Sequence, residues 1–461
     1  MKMIKRRATL VLTMLMAAAI FTSCASSGSP AQAPAPEPQA QATETPKPAS
    51  EQPAPVSEQP APVSEEPVAQ APTAITLFNN KVEIDGALKN YAKVYEEKTG
   101  VKVDIRTAGG DTDYNTALVS QIQGGEEPEI FVFEGPSSYE KFQDRFIDLS
   151  DQPWVKDTDV AFTYTDGKVY GFPVAIEGYG LAYNKDILDK AGVDPSTLTN
   201  FAAVKSAFET IDAQKGDLGL DCVISMGSSQ DMWWVVTLHN MNVYLTGGCD
   251  YNDTSVADDF MNGKLDEARF KSYTDYVDFL FKYSDKRTLS TGTYDDQLNG
   301  FINQKAAFIH QGNWIEPNLA DAGVAFNMGY APHPFLETDT DGIFAAAPSW
   351  YGINGLAPGV DAAKQFLIDM VNTPEGHDYI VNKAGMIPAF KTISLKPAGQ
   401  LSQSVMGWAN AGKIYSWQQY RYPDGFAQNK LAPVYQLFAA GTIDAAQFNS
   451  QLTDVISKIN D

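Results

Sequence analysis

Between Ala74 and Phe133 the sequence alternates short apolar runs with amphipathic stretches, and this alternation constrains the fold more than any other feature. The runs at 74–78, 101–105 and 129–133 are rich in strand-forming residues. The stretches at 85–98 and 114–123 carry apolar residues at helical spacing, and glycines follow their ends. Strand, helix, strand, helix, strand is typical of parallel α/β layering. We therefore predict an α/β fold whose ligands bind beyond the carboxyl ends of its strands.

Length and charge narrow the class of protein. A chain of 461 residues exceeds one ordinary core, which favours two or more domains. The formal charge of −23, without a basic patch, argues against nucleic acid as a partner. Four histidines and three cysteines leave little material for a metal centre. We predict no metal and no cofactor.

The first 23 residues have the pattern of an export signal. Lys2, Lys5, Arg6 and Arg7 precede an apolar run at 8–20 that is too short to span a bilayer comfortably. The run ends in Phe-Thr-Ser-Cys, which resembles a bacterial lipobox, a motif whose cysteine, here Cys24, is lipidated and becomes the new N-terminus. The alternative is an ordinary cleavage site. We predict an exported protein that is lipid-anchored to a membrane and faces the periplasm or the cell exterior.

Residues 24–73 form a predicted tether. They are mostly Pro, Ala, Gln, Glu and Ser, and a heptapeptide repeats from Glu51 and from Glu58. Such a segment buries too little apolar area to fold and samples polyproline II, with a reach on the order of 150 Å when fully extended. In an oxidising compartment Cys222 and Cys249 can pair or remain free thiols. The sequence leaves both alternatives open.

The stretch from Thr165 to Asn184 is a predicted crossing between two parts of the protein. Apolar runs at 169–176 and 181–183 are interrupted by Glu177, with glycines at 178 and 180. Glycine interrupts a strand where the chain bends or where a ligand approaches the backbone. We interpret Glu177 and Tyr179 as facing a cleft between two lobes. An ordinary sheet with a surface glutamate is the alternative.

Polar and aromatic residues at the predicted strand ends, and others further along the chain, are of the types that bind sugars. A pyranose has an apolar face that packs on Trp or Tyr, and its hydroxyls bind carboxylates and amides. The candidate contacts at predicted strand ends are Asn80, Lys81, Phe133, Glu134, Glu177 and Tyr179. Those further along the chain are Gln230, Asp231, Trp233, Trp234, Asn313 and Trp350.

Four stretches together resemble the family 1 extracellular solute-binding proteins of ABC importers, which include maltose-binding protein. They are Lys-Thr-Gly-Val-Lys-Val at 98–103, Glu-Glu-Pro-Glu-Ile-Phe-Val-Phe at 126–133, the segment 167–188, and Asn-Gln-Lys-Ala-Ala-Phe-Ile-His-Gln-Gly-Asn-Trp at 303–314. The resemblance covers most of residues 74–461. It implies the two-lobed type II periplasmic-binding-protein fold, with discontinuous lobes that close by a hinge.

The resemblance also implies lobe boundaries, further contacts and partners. Lobe 1 would comprise 74–180 plus about 349–392, and lobe 2 about 181–348 plus 393–461. Trp314 would face the cleft from a strand end, and the loop that carries Tyr415 and Trp417 would contact ligand. The implied partners are the transmembrane subunits of an ABC permease, and the protein is expected to be a monomer.

The leading prediction is a non-enzymatic binding protein for a carbohydrate, most simply an oligosaccharide. A cationic small molecule is the main rival, because aromatic faces with Glu177 and Asp231 also suit an ammonium. A glycoside-acting enzyme is a second alternative, since Glu134 and Glu177 could form a catalytic carboxylate pair. A structural or adhesive surface lipoprotein is a third, but it would not require converging polar and aromatic strand ends.

Overall fold

The computed structural model describes residues 74–109 and 112–461 of the chain. The predicted export signal, Cys24 and the tether lie outside the described residues. The strands within the described part are β1 Ala74–Asn79, β2 Lys102–Thr107, β3 Ile130–Phe133, β4 Phe162–Thr163, β5 Val169–Pro173, β6 Glu177–Tyr179, β7 Leu181–Asn184, β8 Cys222–Ser225, β9 Ala306–Ile309, β10 Met328–Ala331, β11 Ile343–Ala346, β12 Trp350–Ile353 and β13 Ile414–Tyr415.

Helices connect and cover these strands. They are α1 Asp85–Thr99, α2 Tyr114–Gln123, α3 Gly135–Lys141, α4 Lys185–Ala191, α5 Phe201–Ala213, α6 Lys215–Leu218, α7 Met241–Thr246, α8 Ser255–Met261, α9 Glu267–Lys282, α10 Lys286–Thr291, α11 Tyr294–Ile302, α12 Glu316–Asp321, α13 Val360–Asn372, α14 Pro374–Asp378, α15 Gln400–Asn410, α16 Ala432–Ala439 and α17 Ala445–Ser457. Two irregular helices matter for the site, a 3₁₀ turn at Val82–Ile84 and a π-helix at Val235–Asn240.

The first sheet confirms the predicted alternation. Its strand order is β2-β1-β3-β12-β5-β4, and β1 pairs in parallel with both β2 and β3. Strand alternation divides its apolar side chains between two cores. Leu77 and Val132 pack with α1 and α13 on one face, whereas Phe131 and Phe133 belong to an aromatic core on the other. Gly100 ends α1 in the left-handed conformation, as its position after the helix predicts.

A second sheet and a small third sheet carry the rest of the chain. The second has the order β10-β7-β9-β8, and the third has the order β13-β11-β6. The chain leaves the first sheet at Pro173 and enters the second at Leu181. Between them β6 pairs with β11, and backbone bridges join Ile176 to Ile387 and Tyr179 to Gly312. The described part therefore contains two main sheets with their helices, which we call the first and second units, and the chain passes between them at a junction around Glu177.

The two glycines of this junction are explained by packing. A Cβ at Gly180 would lie 2.4 Å from the Ala331 carbonyl oxygen. A Cβ at Gly178 would lie 2.7 Å from a methyl carbon of Val405. Both contacts are closer than real Cβ atoms tolerate, so any other residue would force β6 away from its neighbours. These glycines admit protein neighbours rather than a ligand.

The structure decides between the two alternatives for the cysteines. Cys222 begins β8, and Cys249 follows α7 beside the Arg269 guanidinium, whose Nη2 lies 3.9 Å from Sγ. Both are free thiols and are not bonded to each other. The disulfide alternative is therefore wrong, because the two side chains lie in different surroundings. Burial raises the pKa of the Cys222 thiol to about 11, which keeps it protonated.

Three of the four histidines lie within and beside the second sheet. The Nδ1 atom of His310 is 2.8 Å from Nε2 of His333, whose Nδ1 is 2.9 Å from the Tyr276 hydroxyl. His239 packs nearby, with its ring centroid 5.0 Å from that of Tyr179. Burial lowers the pKa of His310 to about 4 and lowers the pKa values of His239 and His333 as well. These imidazoles are neutral in the folded protein at neutral pH.

We predict that the buried histidines, His310 above all, contribute stability that is lost as pH decreases below about 6.5. Unfolded histidine binds a proton near pH 6.5, whereas folded His310 resists protonation until about pH 4. The unfolded state therefore binds more protons than the folded state between pH 6.5 and pH 4. His310 alone lowers the free energy of unfolding by on the order of 3 kcal/mol by pH 4. Urea unfolding of wild type and His310→Gln between pH 7 and pH 4.5 measures the effect. The variant should lose less stability than wild type.

His377→Gln is the control, because His377 lies outside this cluster and bonds the Val371 carbonyl. If wild type and His310→Gln show the same pH dependence, the buried histidines do not control acid stability. Carboxylates that titrate in this interval contribute equally to both proteins, so the difference between the two curves isolates the imidazole.

Candidate ligand-binding cleft

A cluster of charged side chains forms where the first sheet meets the junction. Lys81 follows the end of β1, Glu83 lies in the 3₁₀ turn, Glu134 follows β3 and Glu177 begins β6. We call these four residues the charged cluster. The Asn79 side chain accepts a hydrogen bond from the Lys81 backbone N–H at 3.2 Å and donates to its carbonyl at 2.7 Å. This local turn fixes the backbone at Lys81.

Lys81 is the centre of the charged cluster. Its Nζ donates to Oε1 of Glu177 and lies 3.9 Å from Oε1 of Glu83. Glu134 accepts a hydrogen bond from the Asn80 amide at 2.9 Å. The side chains of Lys81, Glu83 and Glu177 are only about one-tenth exposed, at 11%, 10% and 9%. The arrangement encloses one ammonium and three carboxyl groups.

Burial and charge act in opposition within the cluster. Burial alone would lower the pKa of Lys81, but the negative charges of Glu177 and Glu83 outweigh it, so the pKa is raised. Burial raises the pKa of the Glu83 carboxyl to about 7, although the Lys81 charge partly offsets the effect. Burial also raises the pKa of Glu134. Lys81 therefore stays charged, whereas Glu83 exchanges its proton near neutral pH.

Aromatic rings from the second unit adjoin the charged cluster. We call Trp234, His239, Trp314 and Trp417 the aromatic wall. The His239 ring centroid lies 4.8 Å from that of Trp314, and Trp417 meets Trp314 edge-on at 6.2 Å. The Trp314 indole N–H donates to Oε1 of Gln311 at 2.8 Å, which fixes the ring orientation. Trp234 and Trp314 offer half-buried indole surface of the kind that packs on a sugar ring, whereas Trp417 is buried.

Gly312 determines where the Trp314 ring lies. A Cβ at Gly312 would come within 2.0 Å of that ring, so only glycine lets the indole fold back over the backbone. The adjacent Asn313 is buried and accepts a hydrogen bond from the Gly178 N–H at 2.8 Å, while its amide donates to the Ser402 hydroxyl at 3.1 Å. Asn313 therefore holds β6 and Trp314 together.

A small cavity lies between the charged cluster and the aromatic wall. Its volume is about 10 Å³, which is room for about one water molecule. Lys81, Glu83, Glu177, Asn313 and Trp314 line it together with the 384–386 loop. Residues from both units therefore surround one space. An oligosaccharide would enter only if the two sides of this space separated.

Contacts between helix α3 and the segment 420–424 join the first unit to the second. Helix α3, next to the first sheet, meets the segment 420–424 that follows β13. The Ser137 hydroxyl donates to the Tyr422 carbonyl at 2.6 Å, and Nζ of Lys141 lies 3.0 Å from Asp424. Gly135 has φ +74°, and a Cβ there would lie 2.5 Å from Cβ of Tyr420. We call these contacts the front clasp.

The structure brings most of the predicted site residues together. Lys81, Glu177, Asn313 and Trp314 line the cavity, and Asn80 with Glu134 adjoin it. Trp234 and Trp417 belong to the aromatic wall. Tyr179 is fully buried behind the wall, where its hydroxyl donates to the His239 carbonyl at 2.8 Å. Its ring supports Trp417 and Trp314 from the protein side.

Other predicted residues lie apart from this space. Phe133 is fully buried against Tyr139, Phe162 and Trp350, because strand alternation directs it into the aromatic core. The Trp350 indole donates to the Val160 carbonyl at 2.8 Å, and Tyr415 packs on Phe344. Trp233 packs against the core of the second unit. Gln230 and Asp231 are exposed. Ligand contact by these residues remains a prediction.

Several residues of the cleft were missed from the sequence. They are Glu83, His239, Gln311, Tyr294 and Tyr420. The sequence could have indicated Glu83, because this residue lies two positions after Lys81, just beyond the predicted first strand. No sequence pattern indicated His239, because this residue contacts Trp234 through the five-residue spacing of a π-helix. The two ring centroids are 5.4 Å apart.

Sequence comparison finds similar proteins among named solute-binding and sugar-binding proteins. A maltooligosaccharide ABC transporter solute-binding lipoprotein of Streptococcus pneumoniae is 27% identical over 326 residues, which is 67% of this chain and 71% of the relative. The melibiose/raffinose/stachyose-binding protein MelE of Bacillus subtilis is 25% identical over 301 residues, or 61% of this chain and 63% of that protein.

Structural comparison supports the two-lobed α/β fold. A sugar transporter from Bacillus licheniformis, solved in complex with stachyose, superposes with a TM-score of 0.67 at 19% sequence identity. The match covers 84% of this chain and all of that one. Within the described residues, no helix is both long and apolar enough to cross a membrane. Residues 90–405, more than half of the chain, match the family model for bacterial extracellular solute-binding proteins, and the chain belongs to that family.

Proposed function

We propose that this protein is the solute-binding component of an ABC importer and captures an oligosaccharide between two lobes. The observation that carries the proposal is that Lys81, Glu83 and Glu177 of the charged cluster line one cavity together with Trp314 of the aromatic wall. Indoles suit the apolar faces of sugar rings, and carboxyl and amide groups suit their hydroxyls. The sugar ligands named for the pneumococcal relative and for MelE support the same class of ligand.

The proposed lobes follow the sheets. Lobe 1 comprises 74–180 plus about 349–392, and lobe 2 comprises about 181–348 plus 393–461. The positions of β12 in the first sheet and of β7 to β10 in the second support this division. Ligand contacts to both lobes stabilise the closed form, which delivers the sugar to the transmembrane subunits of a permease. We further propose that Cys24 is lipidated and that residues 24–73 tether the binding module outside the cytoplasmic membrane. The protein is proposed to be a monomer. The lipoprotein name of the pneumococcal relative supports the anchor.

A cationic small molecule remains the second candidate. The excess of carboxyl groups over ammonium groups in the charged cluster favours it. Salt dependence separates a neutral sugar from a charged ligand, because binding of a neutral sugar should depend little on ionic strength, whereas binding of a cation should weaken with added salt.

Fluorescence titration with maltotetraose, raffinose and stachyose tests the proposal. Trp314 lines the cavity, so an oligosaccharide should change indole emission. Replacing Trp314 by Ala removes a platform that would bury ~100 Å² of ring face, or about 2.5 kcal/mol, and should weaken binding roughly fiftyfold.

Trp314→Phe is the matched variant, because it keeps an aromatic face and should bind far better than Trp314→Ala. Unchanged affinity in Trp314→Ala would remove this residue from the site. Turnover of one of these oligosaccharides would contradict the proposed function, and so would failure of the whole panel together with the tetramers of glucosamine and N-acetylglucosamine to bind.

The front clasp yields a second prediction. Ser137→Ala removes a hydrogen bond between the two sides of the cleft, which contributes about 1 kcal/mol. If the ligand-bound state is the closed one, affinity should fall about fivefold through faster dissociation, measured by stopped-flow fluorescence. Ser138→Ala on the same helix is the control. Equal losses in both variants, or none in Ser137→Ala, would show that the clasp does not stabilise the bound state.

A further inference from the structure

The charges in the charged cluster do not balance. Lys81 pairs with Glu177, and its Nζ is 3.9 Å from Glu83, so one ammonium serves two carboxyl groups. Glu134 is held by the Asn80 amide at 2.9 Å, a neutral donor. Among the described residues, Lys81 is the cationic group that the structure pairs with this cluster. Ionisation of all three carboxyl groups would leave two negative charges without a counter-charge in a nearly enclosed site.

Enclosed charge without a partner is unfavourable, and the cluster responds to it. Burial raises the pKa of Glu83 to about 7 and raises the pKa of Glu134. The groups that face Glu83 do not relieve it. Apart from Lys81, the charged groups near Glu83 are the carboxyl groups of Glu177 and Glu134. The hydroxyls of Tyr294, Tyr351 and Tyr379 also lie close enough for the Glu83 charge to raise their pKa values. An added positive charge would be stabilised at this position.

The same space also presents an aromatic face. Trp314 lines the cavity together with Lys81 and Glu83, and the rings of Trp234 and His239 pack near Trp314. A simple polyamine would use the carboxylates but would leave much of this flat indole surface without a matching partner. A sugar ring that carries an ammonium matches both features, because its apolar face packs on the indole and its charge meets the carboxylates.

We propose that the ligand is an amino sugar oligosaccharide with a free, protonated amine, which lies beside Glu83 and Glu134 while a ring face packs on Trp314. This inference rests on the proposed function and specifies the substrate class of the same cleft. Lys81 then orients Glu177, and Glu83 and Glu134 supply the charge that distinguishes an amine from a hydroxyl or an acetamide.

Two sugars of equal length and linkage test the inference. The full chain is titrated by calorimetry at pH 7 with the β-1,4-linked tetramer of glucosamine and with the tetramer of N-acetylglucosamine. We expect the free amine to bind at least tenfold tighter at low salt. Glu83→Gln should reduce this preference to less than threefold, whereas the exposed Glu97→Gln, which changes net charge equally, should keep it.

Stability of the variants provides an independent readout. Glu83→Gln removes a carboxyl group whose ionisation burial opposes, so its unfolding temperature should equal or exceed that of wild type at pH 8. A loss of amine preference in a fully stable variant then reports recognition rather than misfolding. A marked loss of stability in Glu83→Gln would contradict the charge imbalance on which the inference depends.

The outcomes separate this inference from the proposed function. Equal or weaker binding of the amine tetramer, while a neutral oligosaccharide binds, overturns the inference and leaves the proposed function intact. Spermidine binding as tightly as the amine tetramer overturns the assignment to an amino sugar. Failure of both tetramers, maltotetraose, raffinose and stachyose to bind overturns the proposed function, and the inference with it.

Discussion

The ion pair between Lys81 and Glu177 holds the cleft together. It joins the end of β1, in the first sheet, to the start of β6, at the junction of the two units. Because the pair is nearly buried, loss of Lys81 would leave the Glu177 carboxylate without a counter-charge, at a cost of about 3–5 kcal/mol. Glu177 in turn positions Gly178, whose N–H binds Asn313, and Asn313 precedes Trp314. One buried electrostatic contact thus fixes the relation of carboxylates to indoles.

The strand-end part of the site was predictable because parallel strands place their carboxyl ends at one edge. Lys81 and Glu134 follow β1 and β3, which pair directly, and both reach the cluster as expected. Phe133 was assigned to the cleft although it precedes Glu134 by one residue. Strand alternation turns adjacent side chains to opposite faces, and the sequence does not say which helix layer covers which face.

The rest of the site depends on contacts that no local pattern records. His239 joins the aromatic wall because a π-helix changes the periodicity from four residues to five. The glycines at 178 and 180 are interpreted from the sequence as a bend or a place where a ligand approaches the backbone, but Val405 and Ala331 are the neighbours that approach them. Asn313, predicted to bind ligand, uses both of its polar groups on the protein. The sequence indicates which residue types gather near the strand ends, whereas tertiary packing determines what each of them contacts.

Under the proposed function, closure of the cleft would be driven mainly by the ligand. The front clasp contributes one hydrogen bond of about 1 kcal/mol and a partly exposed ion pair of at most about 1 kcal/mol. Moving a two-state equilibrium from 1:99 to 99:1 takes about 5.5 kcal/mol of differential affinity, which these contacts do not supply. The remaining free energy has to come from groups that gain partners only when a ligand is enclosed. The half-buried indole faces and the carboxyl groups without a counter-charge are groups of that kind near the cavity. Under the proposed function, the imbalance that opposes closure of the empty cleft would also select the ligand that closes it.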